Sequence, residues 1–316
     1  MKILVTGGYG FLGEAVYQRL SSSDNEVIRF RSKEFDLRRE EEAERLFQLV
    51  EPDIVINLAA RLGGIGDNRK YPASYFLDNM KIGMNVFQLS AKYKVQKLTQ
   101  IGTVCSYPEI TPVPFEESHL WNGRPEPTNA AYGVAKRALI ELANAMHKQY
   151  GLNSSTLLLA NLYGPGDDFR DGTSHVIPAI IKKAIEAKRS GRPAIELWGD
   201  GSPTRDFLFV EDAAKAIEMV ALSESKYIDP MNVGTGKEIS IRELVKQILM
   251  ILSCDFSLEW QTDKPNGQPR RCLNIDTLNS NFGFKSLIDL DEGLRRTIKF
   301  YKENKDFLDT QKAKYE

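Results

Sequence analysis

The first thirteen residues of the chain constrain its fold more than any other stretch. An apolar segment, "KILVT" at residues 2–6, runs directly into "GGYGFLG", which places Gly7, Gly10 and Gly13 between a strand and the start of a helix. Backbone N–H groups at such a helix start, together with the helix dipole, can receive a pyrophosphate. The G-x-x-G-x-x-G spacing also suits a turn that only reverses the chain, but its position between strand and helix favours a dinucleotide site.

Apolar strand segments alternate with amphipathic helical segments up to about residue 161. This alternation predicts an α/β fold, a Rossmann-like doubly wound parallel sheet with helices on both faces. Beyond that point the pattern loosens into loops that carry Gly and Pro. We therefore expect an NADP-binding domain at 1–161 and a smaller α/β substrate-binding lobe at 162–316, with some crossings back to the first domain. The predicted strands are 2–6, 26–30, 53–60, 97–102 and 154–160, and the predicted helices are 11–20, 40–50, 75–93 and 130–150.

Composition and charge argue against several other classes of protein. The formal net charge of the 316 residues is -1, so no overall field attracts nucleic acid or an anionic membrane. No segment approaches the roughly 18 apolar residues of a membrane helix, and the first residues resemble no signal peptide. Cys105, Cys254 and Cys272 share no metal-ligand spacing and leave one thiol unpaired, so we expect no metal and a reducing, cytoplasmic location.

The end of the second predicted strand indicates which dinucleotide is bound. An acidic residue at this position would bind the ribose hydroxyls of NAD, whereas arginine accommodates the 2′-phosphate of NADP. The chain reads "RFRSKE" here, with Arg29, Arg31 and Lys33 ahead of the first acid, Glu34. A solvated basic strand end is the alternative interpretation. We favour NADP(H) as the cofactor.

Three polar groups follow the fourth strand or lie on the next helix. Tyr132 and Lys136 of "YGVAK" are spaced i, i+4 and share a helix face. The lysine can lower the pKa of the phenol, which then works as a proton donor near neutral pH. Thr103, at the end of the fourth strand, is suited to bind the same carbonyl oxygen. Cys105 follows in "GTVCSYP" and could be a small core residue or a reactive group.

Several motifs, taken together and in order, resemble one family. They include "NLAA" (57–60), "AARLGGI" (59–65), "GTVCSYP", "EPTNAAYGVAK", "ANLYGPGDDF", "SHVIPAIIKK", "LWGDGSPTRDFLFVEDAA" and "MNVGTG". The chain resembles the extended short-chain dehydrogenase/reductases and, among them, the GDP-L-fucose synthases, over about residues 1–300. The resemblance implies NADPH-dependent 3,5-epimerisation and 4-keto reduction of a GDP-4-keto-6-deoxy sugar. It also implies a homodimer built from helices 75–93 and 131–150.

The resemblance further assigns roles to individual residues. Cys105 would be the catalytic base and His175 its acid partner, with Thr103, Tyr132 and Lys136 acting on the C4 oxygen. His175 as a helix-entry residue, Trp198 as lobe core and Lys183 as a solvated lysine are the alternative interpretations. Cys254 and Cys272 are assigned to packing. The implied cofactor-binding residues are Gly7, Gly10, Phe11, Leu12, Gly13, Arg29, Arg31, Asp36, Leu37, Leu58, Ala59, Ala60, Lys136, Asn161, Leu162 and His175. The implied substrate-binding residues are Lys183, Trp198, Arg205 and Asn266.

Departures from the family pattern leave other substrates open. Gly166 and Asp168 stand where the family has histidine and asparagine, Asn266 stands for an aspartate, and Val104 stands for a serine. A GDP-colitose or GDP-6-deoxyheptose enzyme, or one that retains a single step, is therefore an alternative. An NAD-dependent nucleotide-sugar epimerase or dehydratase is disfavoured by the basic strand end. A non-catalytic NADP-binding protein is disfavoured because Tyr132 and Lys136 are both present.

Overall fold

The structure is a computed structural model that describes residues 1–22, 24–63, 68, 70–264 and 266–310. Gly64 and Ile65, which complete the "AARLGGI" motif, lie outside the described residues, as does the charged end of the chain at 311–316. Within the described ranges, no helix is both long enough and apolar enough to cross a membrane.

A six-stranded, fully parallel sheet forms the centre of the molecule, in the order β10-β5-β4-β3-β1-β2. Its central strands carry almost only buried residues, as expected when both faces are covered. The strands are β1 (Lys2–Thr6), β2 (Glu26–Arg29), β3 (Ile54–Asn57), β4 (Lys97–Thr103), β5 (Ser154–Leu159) and β10 (Met231–Val233).

Helices cover both faces of this sheet, so the predicted doubly wound architecture is confirmed. One face packs against α1 and α6 in a single apolar cluster, and the other packs against α2, α3 and α4. The helices are α1 (Phe11–Leu20), α2 (Glu40–Val50), α3 (Pro72–Lys92), α4 (Ala130–Tyr150) and α6 (Val210–Ala221).

Most of the remaining elements pack around a separate apolar cluster that includes Ile181, Phe209 and Tyr301, whereas Leu278 of the helix Asp276–Phe282 belongs to the apolar cluster of the main sheet. The chain returns from this region to the main sheet through α6 and β10, which are the expected crossings. The division into domains at residue 161 stays a prediction. The elements are β6 (Asn161–Tyr163), α5 (Val176–Ser190), β7 (Ala194–Trp198), β8 (Thr204–Arg205), β9 (Phe207–Phe209), β11 (Ile239–Ser240), α7 (Ile241–Leu252), β12 (Ser257–Gln261), β13 (Arg270–Arg271), α8 (Asp276–Phe282) and α9 (Leu290–Thr310).

Two predicted element ends differ from the structure by three residues, and the other predicted ends agree with it to within one residue. The strand predicted at 53–60 ends at Asn57, because the following residues leave the sheet and pass beneath the glycine turn at Gly7. The helix predicted at 75–93 starts earlier, at Pro72, where a proline in the first turn costs no hydrogen bond.

Candidate active site

The glycine turn lies directly above the loop that follows β3. Gly7 has a φ of +65°, and the Gly10 amide donates to the Gly7 carbonyl at 2.9 Å. A Cβ at Gly7 would lie 3.0 Å from the Ala59 nitrogen, and one at Gly13 would lie 2.2 Å from the Gly7 oxygen. The turn therefore needs glycine to close against α1, and it presents a backbone-lined cradle that fits a dinucleotide pyrophosphate.

A chain of buried polar side chains supports the loop at Leu58–Ala60. The Thr6 hydroxyl donates to Asn57 Oδ1 at 2.6 Å and accepts the Ala59 amide at 3.1 Å. Asn57 Nδ2 in turn donates to Gln100 at 2.7 Å. This network fixes the predicted cofactor loop across three neighbouring strands.

Arg29 and Arg31 both lie beside the glycine turn, but their surroundings differ. The Arg29 guanidinium is 3.6 Å from the centre of the Tyr17 ring, donates to the Gly8 carbonyl at 3.1 Å and pairs with Glu14 at 2.5 Å. Arg31 is exposed and lies over the Tyr9 ring at 4.1 Å. Arg29 therefore supports the turn from below, whereas Arg31 presents its charge to solvent.

Asp36 and Leu37, two of the residues implied to bind the cofactor, follow this basic strand end. Arg38 binds the Asp36 carboxylate through two nitrogens and lowers the pKa of that group. Leu37 is buried in the core, and its carbonyl accepts Asn85 Nδ2 at 2.8 Å. The segment at residues 36–37 is thus anchored through the Asp36 side chain and through the Leu37 carbonyl.

A short 3₁₀ turn at Val104–Ser106 positions Cys105 against α4. The Thr103 hydroxyl accepts the Cys105 amide at 3.2 Å, and the Val104 side chain packs into the core, where a serine hydroxyl would be buried. A Cβ at Gly133 would lie 2.2 Å from the Cys105 oxygen, so only glycine permits this approach of the helix. Arg137 Nε, one turn further along α4, donates to the Ser106 carbonyl at 2.9 Å.

The structure brings Tyr132 and Lys136 of α4 together with Thr103. Burial and the neighbouring Cys105 raise the pKa of Tyr132, while a hydrogen bond with the Thr103 side chain opposes that rise. The Lys136 ammonium donates to the Ile101 carbonyl at 3.0 Å, and burial lowers its pKa to about 8. Burial, and not the lysine, therefore has the largest effect on the pKa of the Tyr132 phenol. It keeps Tyr132 protonated, which is the form that can donate a proton.

His175 occupies the N-cap position of α5, makes no capping hydrogen bond with its side chain and is exposed to solvent. Desolvation by the surrounding protein lowers its pKa, an effect that the exposed surface limits, and the charge of Asp168 acts in the opposite direction. Asp168 itself binds Arg170 and accepts the Thr173 hydroxyl at 2.9 Å. No hydrogen bond joins His175 to Cys105 within the described residues. The predicted acid and base are therefore separate groups.

The predicted substrate residues occupy β7, β8 and the adjoining loops. Trp198 at the end of β7 is 59 % exposed, so its interpretation as lobe core is wrong. Lys183 donates to the carbonyl of Glu196 in the same strand at 2.9 Å. Asn266 accepts the Asp200 amide at 3.0 Å, just beyond Trp198. This places Asn266 in a turn-stabilising position at the edge of the predicted site.

Arg205 and Asn161 lie closer to the centre of the molecule. Burial, followed by the nearby Arg271, lowers the pKa of Arg205 to about 9, while Cys105 acts in the opposite direction. Both the backbone and the side-chain amide of Asn161 donate to the Asp206 carbonyl, at 3.2 and 3.0 Å. Leu162 follows in β6, in register with Leu208.

Sequence reasoning missed several residues that shape this site: Gly133, Arg137, Asp167, Gln268 and Arg271. An isolated glycine inside the helical "YGVAK" pattern was a readable signal of close packing. Gln268 contacts Pro108 and Glu109, and Arg271 contacts Cys105, in each case about 160 residues away in sequence, so no local pattern reveals these contacts. Cys254 packs against the second apolar cluster and Cys272 is buried, in agreement with their predicted packing role.

Comparison with known proteins places this geometry in a family. Residues 3–234 match the NAD dependent epimerase/dehydratase family. The chain belongs to this family. It is 38 % identical over 305 residues to a GDP-L-fucose synthase of Sinorhizobium fredii, covering 96 % of each chain. It is 32 % identical over 306 residues to the GDP-L-colitose synthase of Yersinia pseudotuberculosis, covering 96 % of this chain and 99 % of that protein.

A solved structure agrees with these relatives. The GDP-L-fucose synthetase of Naegleria fowleri bound to NADP superposes with a TM-score of 0.87 at 25 % identity, covering 96 % of this chain and 95 % of that one. The predicted family resemblance, the Rossmann-like fold, and the assignment as an NADP(H)-dependent epimerase/reductase are confirmed by these matches.

Proposed function

We propose that the protein carries out NADPH-dependent 3,5-epimerisation and 4-keto reduction of a GDP-4-keto-6-deoxy sugar, as in GDP-L-fucose synthesis. The observation that carries this proposal is the junction of Thr103, Tyr132 and Cys105 at the end of β4. It combines two hydrogen-bonding groups for one carbonyl oxygen with a thiol that can act on the neighbouring carbons.

Epimerisation uses the acidity of the hydrogens beside the C4 carbonyl. Cys105, as thiolate, removes the proton from C3 or C5, and the electron pair of that C–H bond delocalises onto the C4 oxygen as an enolate. Hydrogen bonds from Thr103 and Tyr132 stabilise this developing charge. His175 returns a proton to the opposite face of the carbon, which inverts the centre.

Reduction then takes place at the same carbonyl group. When bound, NADPH would supply the hydride that C4 receives. Tyr132 donates its phenolic proton to the C4 oxygen, and Lys136 orients the ribose and the phenol from the next turn of α4. The same oxygen site thus serves an enolate in the first stage and an alcohol in the second.

The remaining predicted residues divide between cofactor and substrate. The cofactor would lie across the glycine turn, with Arg31 toward the 2′-phosphate, Asp36 and Leu37 beside the adenine, and Asn161 near the nicotinamide. We assign the GDP-sugar to Lys183, Trp198, Arg205 and Asn266, because basic groups suit a diphosphate and an exposed indole suits stacking. On this proposal residues 1–161 bind the cofactor and 162–316 the substrate.

A GDP-colitose precursor is a second candidate substrate. Asp168 differs from the family asparagine and binds Arg170 and Thr173, two residues before His175 in sequence. The loop that contains Asp168 therefore differs from the family pattern close to the predicted acid, His175, where it would affect which hexose binds. The relative named GDP-L-colitose synthase supports retaining this candidate.

We also propose a cytoplasmic homodimer. Leu77 and Met84 of α3 are 52 % and 42 % exposed, and they lie on a helix that packs along α4. Pairing two copies through α3 and α4 would cover this apolar stripe in a four-helix bundle. All three cysteines are free thiols, which supports a reducing compartment.

Turnover of GDP-4-keto-6-deoxymannose in D₂O tests the function, with the sugar analysed by mass spectrometry and NMR. The native enzyme should incorporate deuterium at C3, C5 or both and consume NADPH. Cys105→Ser replaces the thiol by a hydroxyl that does not ionise in the working range, so deuterium incorporation should fall while some hydride transfer survives. Tyr132→Phe should instead strongly reduce NADPH consumption.

Two further variants complete the test. His175→Asn should allow proton loss but impair its return, giving incomplete epimers. Cys254→Ser, a half-buried thiol in the second apolar cluster, is the matched control and should behave as the native enzyme. Deuterium incorporation by Cys105→Ser at the native rate would refute the assigned base, and faster turnover of the colitose precursor would favour the second candidate.

A further inference from the structure

The two adjacent arginines of β13 point to opposite sides of that strand. Arg270 is exposed and forms an ion pair with Glu238. Arg271 is only 8 % exposed. Because successive side chains of a strand alternate between its faces, the same short element carries one surface cation and one buried cation. The buried one requires a partner in the interior.

The partners of Arg271 lead directly to the predicted catalytic cysteine. Arg271 Nη1 is 3.7 Å from Cys105 Sγ, and Nε donates to Gln268 Oε1 at 2.7 Å. Gln268, itself 4 % exposed, donates through Nε2 to the carbonyls of Pro108 and Glu109 at 3.2 and 2.9 Å. The segment around β13 therefore holds the chain beyond Cys105 and aims a guanidinium at its sulfur.

Charged and titratable groups face this thiol from three elements. Tyr132 approaches from α4, Arg205 from β8 and Arg271 from β13. The two arginines are close enough that Arg271 lowers the pKa of Arg205, and the charge of Glu126 opposes that effect. The surroundings of the sulfur are thus predominantly cationic, which favours an anion over a neutral group.

We propose that Arg271, oriented by Gln268, is a positioning residue that favours the thiolate form of Cys105 and directs it toward the substrate. This inference rests on the function proposed above and deepens it. The thiol loses its proton to solvent, and the thiolate then accepts the proton of the substrate C–H bond as the electron pair moves to the C4 oxygen. Arg271 acts only through Cys105 and touches neither reacting carbon.

Alkylation of Cys105 by iodoacetamide, followed by peptide mass spectrometry from pH 5.5 to 9.5, tests this role without substrate. An adjacent opposite charge typically favours the ionised form by about one pH unit or more. Arg271→Gln should therefore slow alkylation at pH 7 by about tenfold while leaving the limiting rate at high pH unchanged. Arg271→Lys, which keeps the charge, should retain most of the native profile. Arg270→Gln is the matched control and should match the native protein.

The outcomes separate this inference from the function itself. An Arg271→Gln profile that superimposes on the native one overturns the inference, and so does a rate that falls equally at all pH values, because that indicates altered access. Gln268→Ala should give a smaller shift in the same direction if Gln268 orients the guanidinium. A shifted alkylation profile in a protein that turns over no GDP-4-keto sugar would support the Arg271–Cys105 link and refute the proposed function alone.

Discussion

The contact between Gly133 and the Cys105 carbonyl provides the sharpest test of how the site is held. Replacing Gly133 by alanine would place a Cβ 2.2 Å from that oxygen and 3.1 Å from the Pro125 Cβ. A carbon–oxygen contact normally lies at about 3.3 Å or more, so the 3₁₀ turn and the helix must separate by about 1 Å. The atom that must move is backbone, so a rotamer change cannot relieve the clash.

The expected effects on stability and on activity differ in size. Overpacking costs about 1–3 kcal/mol, and alanine recovers about 1 kcal/mol of helix propensity over glycine. The net loss is therefore about 0–2 kcal/mol, which lowers the melting temperature by a few degrees. A misplacement of about 1 Å at a reacting group costs about 100-fold in rate. Gly133→Ala should thus fold well and incorporate deuterium into the sugar about 100-fold more slowly.

Gly83→Ala is the matched control for this substitution. Its Cβ would lie 2.3 Å from Leu139 Cδ1, so it also crowds the interface of α3 and α4, but against a side chain that can change rotamer. We expect a similar or smaller loss of stability and a native rate of deuterium incorporation. A native rate in Gly133→Ala would show that the contact does not set the position of Cys105, and the reasoning would be wrong.

Three other predictions follow from the structure. Burial raises the pKa of Asp167 to about 7, so the folded state retains a proton that the unfolded state releases above about pH 4, and stability should fall as pH rises from about 4 to 7. Asp167→Asn should remove this slope and raise the urea midpoint relative to wild type more at pH 8 than at pH 5; parallel pH profiles would contradict the assignment. Arg31→Glu should raise the KM for NADPH by about tenfold or more and leave the KM for NADH nearly unchanged, because only NADPH loses a charge-assisted phosphate contact; equal losses would argue against 2′-phosphate binding. Light scattering should give twice the 35.7 kDa chain mass, and Leu77→Glu should reduce it to one chain whereas Leu49→Glu on α2 should not; a native monomer would refute the dimer.

The fold was predictable because its signals are local. The amphipathic period of 40–50 and 130–150 matched the observed α2 and α4 at both ends, and Gly151 ends α4 with a left-handed φ of +69°. The end of β3 was not predictable in the same way. Residues after Asn57 are apolar enough to continue a strand, but they leave the sheet where the glycine turn lies over them. That contact joins segments about fifty residues apart.

The candidate site shows the same division between local and distant signals. The i, i+4 spacing of Tyr132 and Lys136 predicts a shared helix face, and the end of a parallel strand predicts where Thr103 lies. Arg271 contacts Cys105 across 166 residues of chain. Its position depends on the register of β13 with β8, which two-residue strands do not encode in any visible pattern. Such contacts are set by the tertiary fold and not by any local sequence pattern.

The residues that position the catalytic groups come from different parts of the fold for the two proposed steps, reduction and epimerisation. Tyr132 and Lys136 are positioned within the first sheet and its helix α4, so the groups for reduction depend on one part of the fold. Cys105 is held by α4 on one side and by Gln268 and Arg271 on the other. On the proposed mechanism, a displacement of Gln268 and Arg271 relative to the sheet therefore disturbs the base, Cys105, before it disturbs the proton donor, Tyr132. Epimerisation is then the step more sensitive to a displacement of Gln268 and Arg271, whereas reduction depends on groups held by the main sheet and α4.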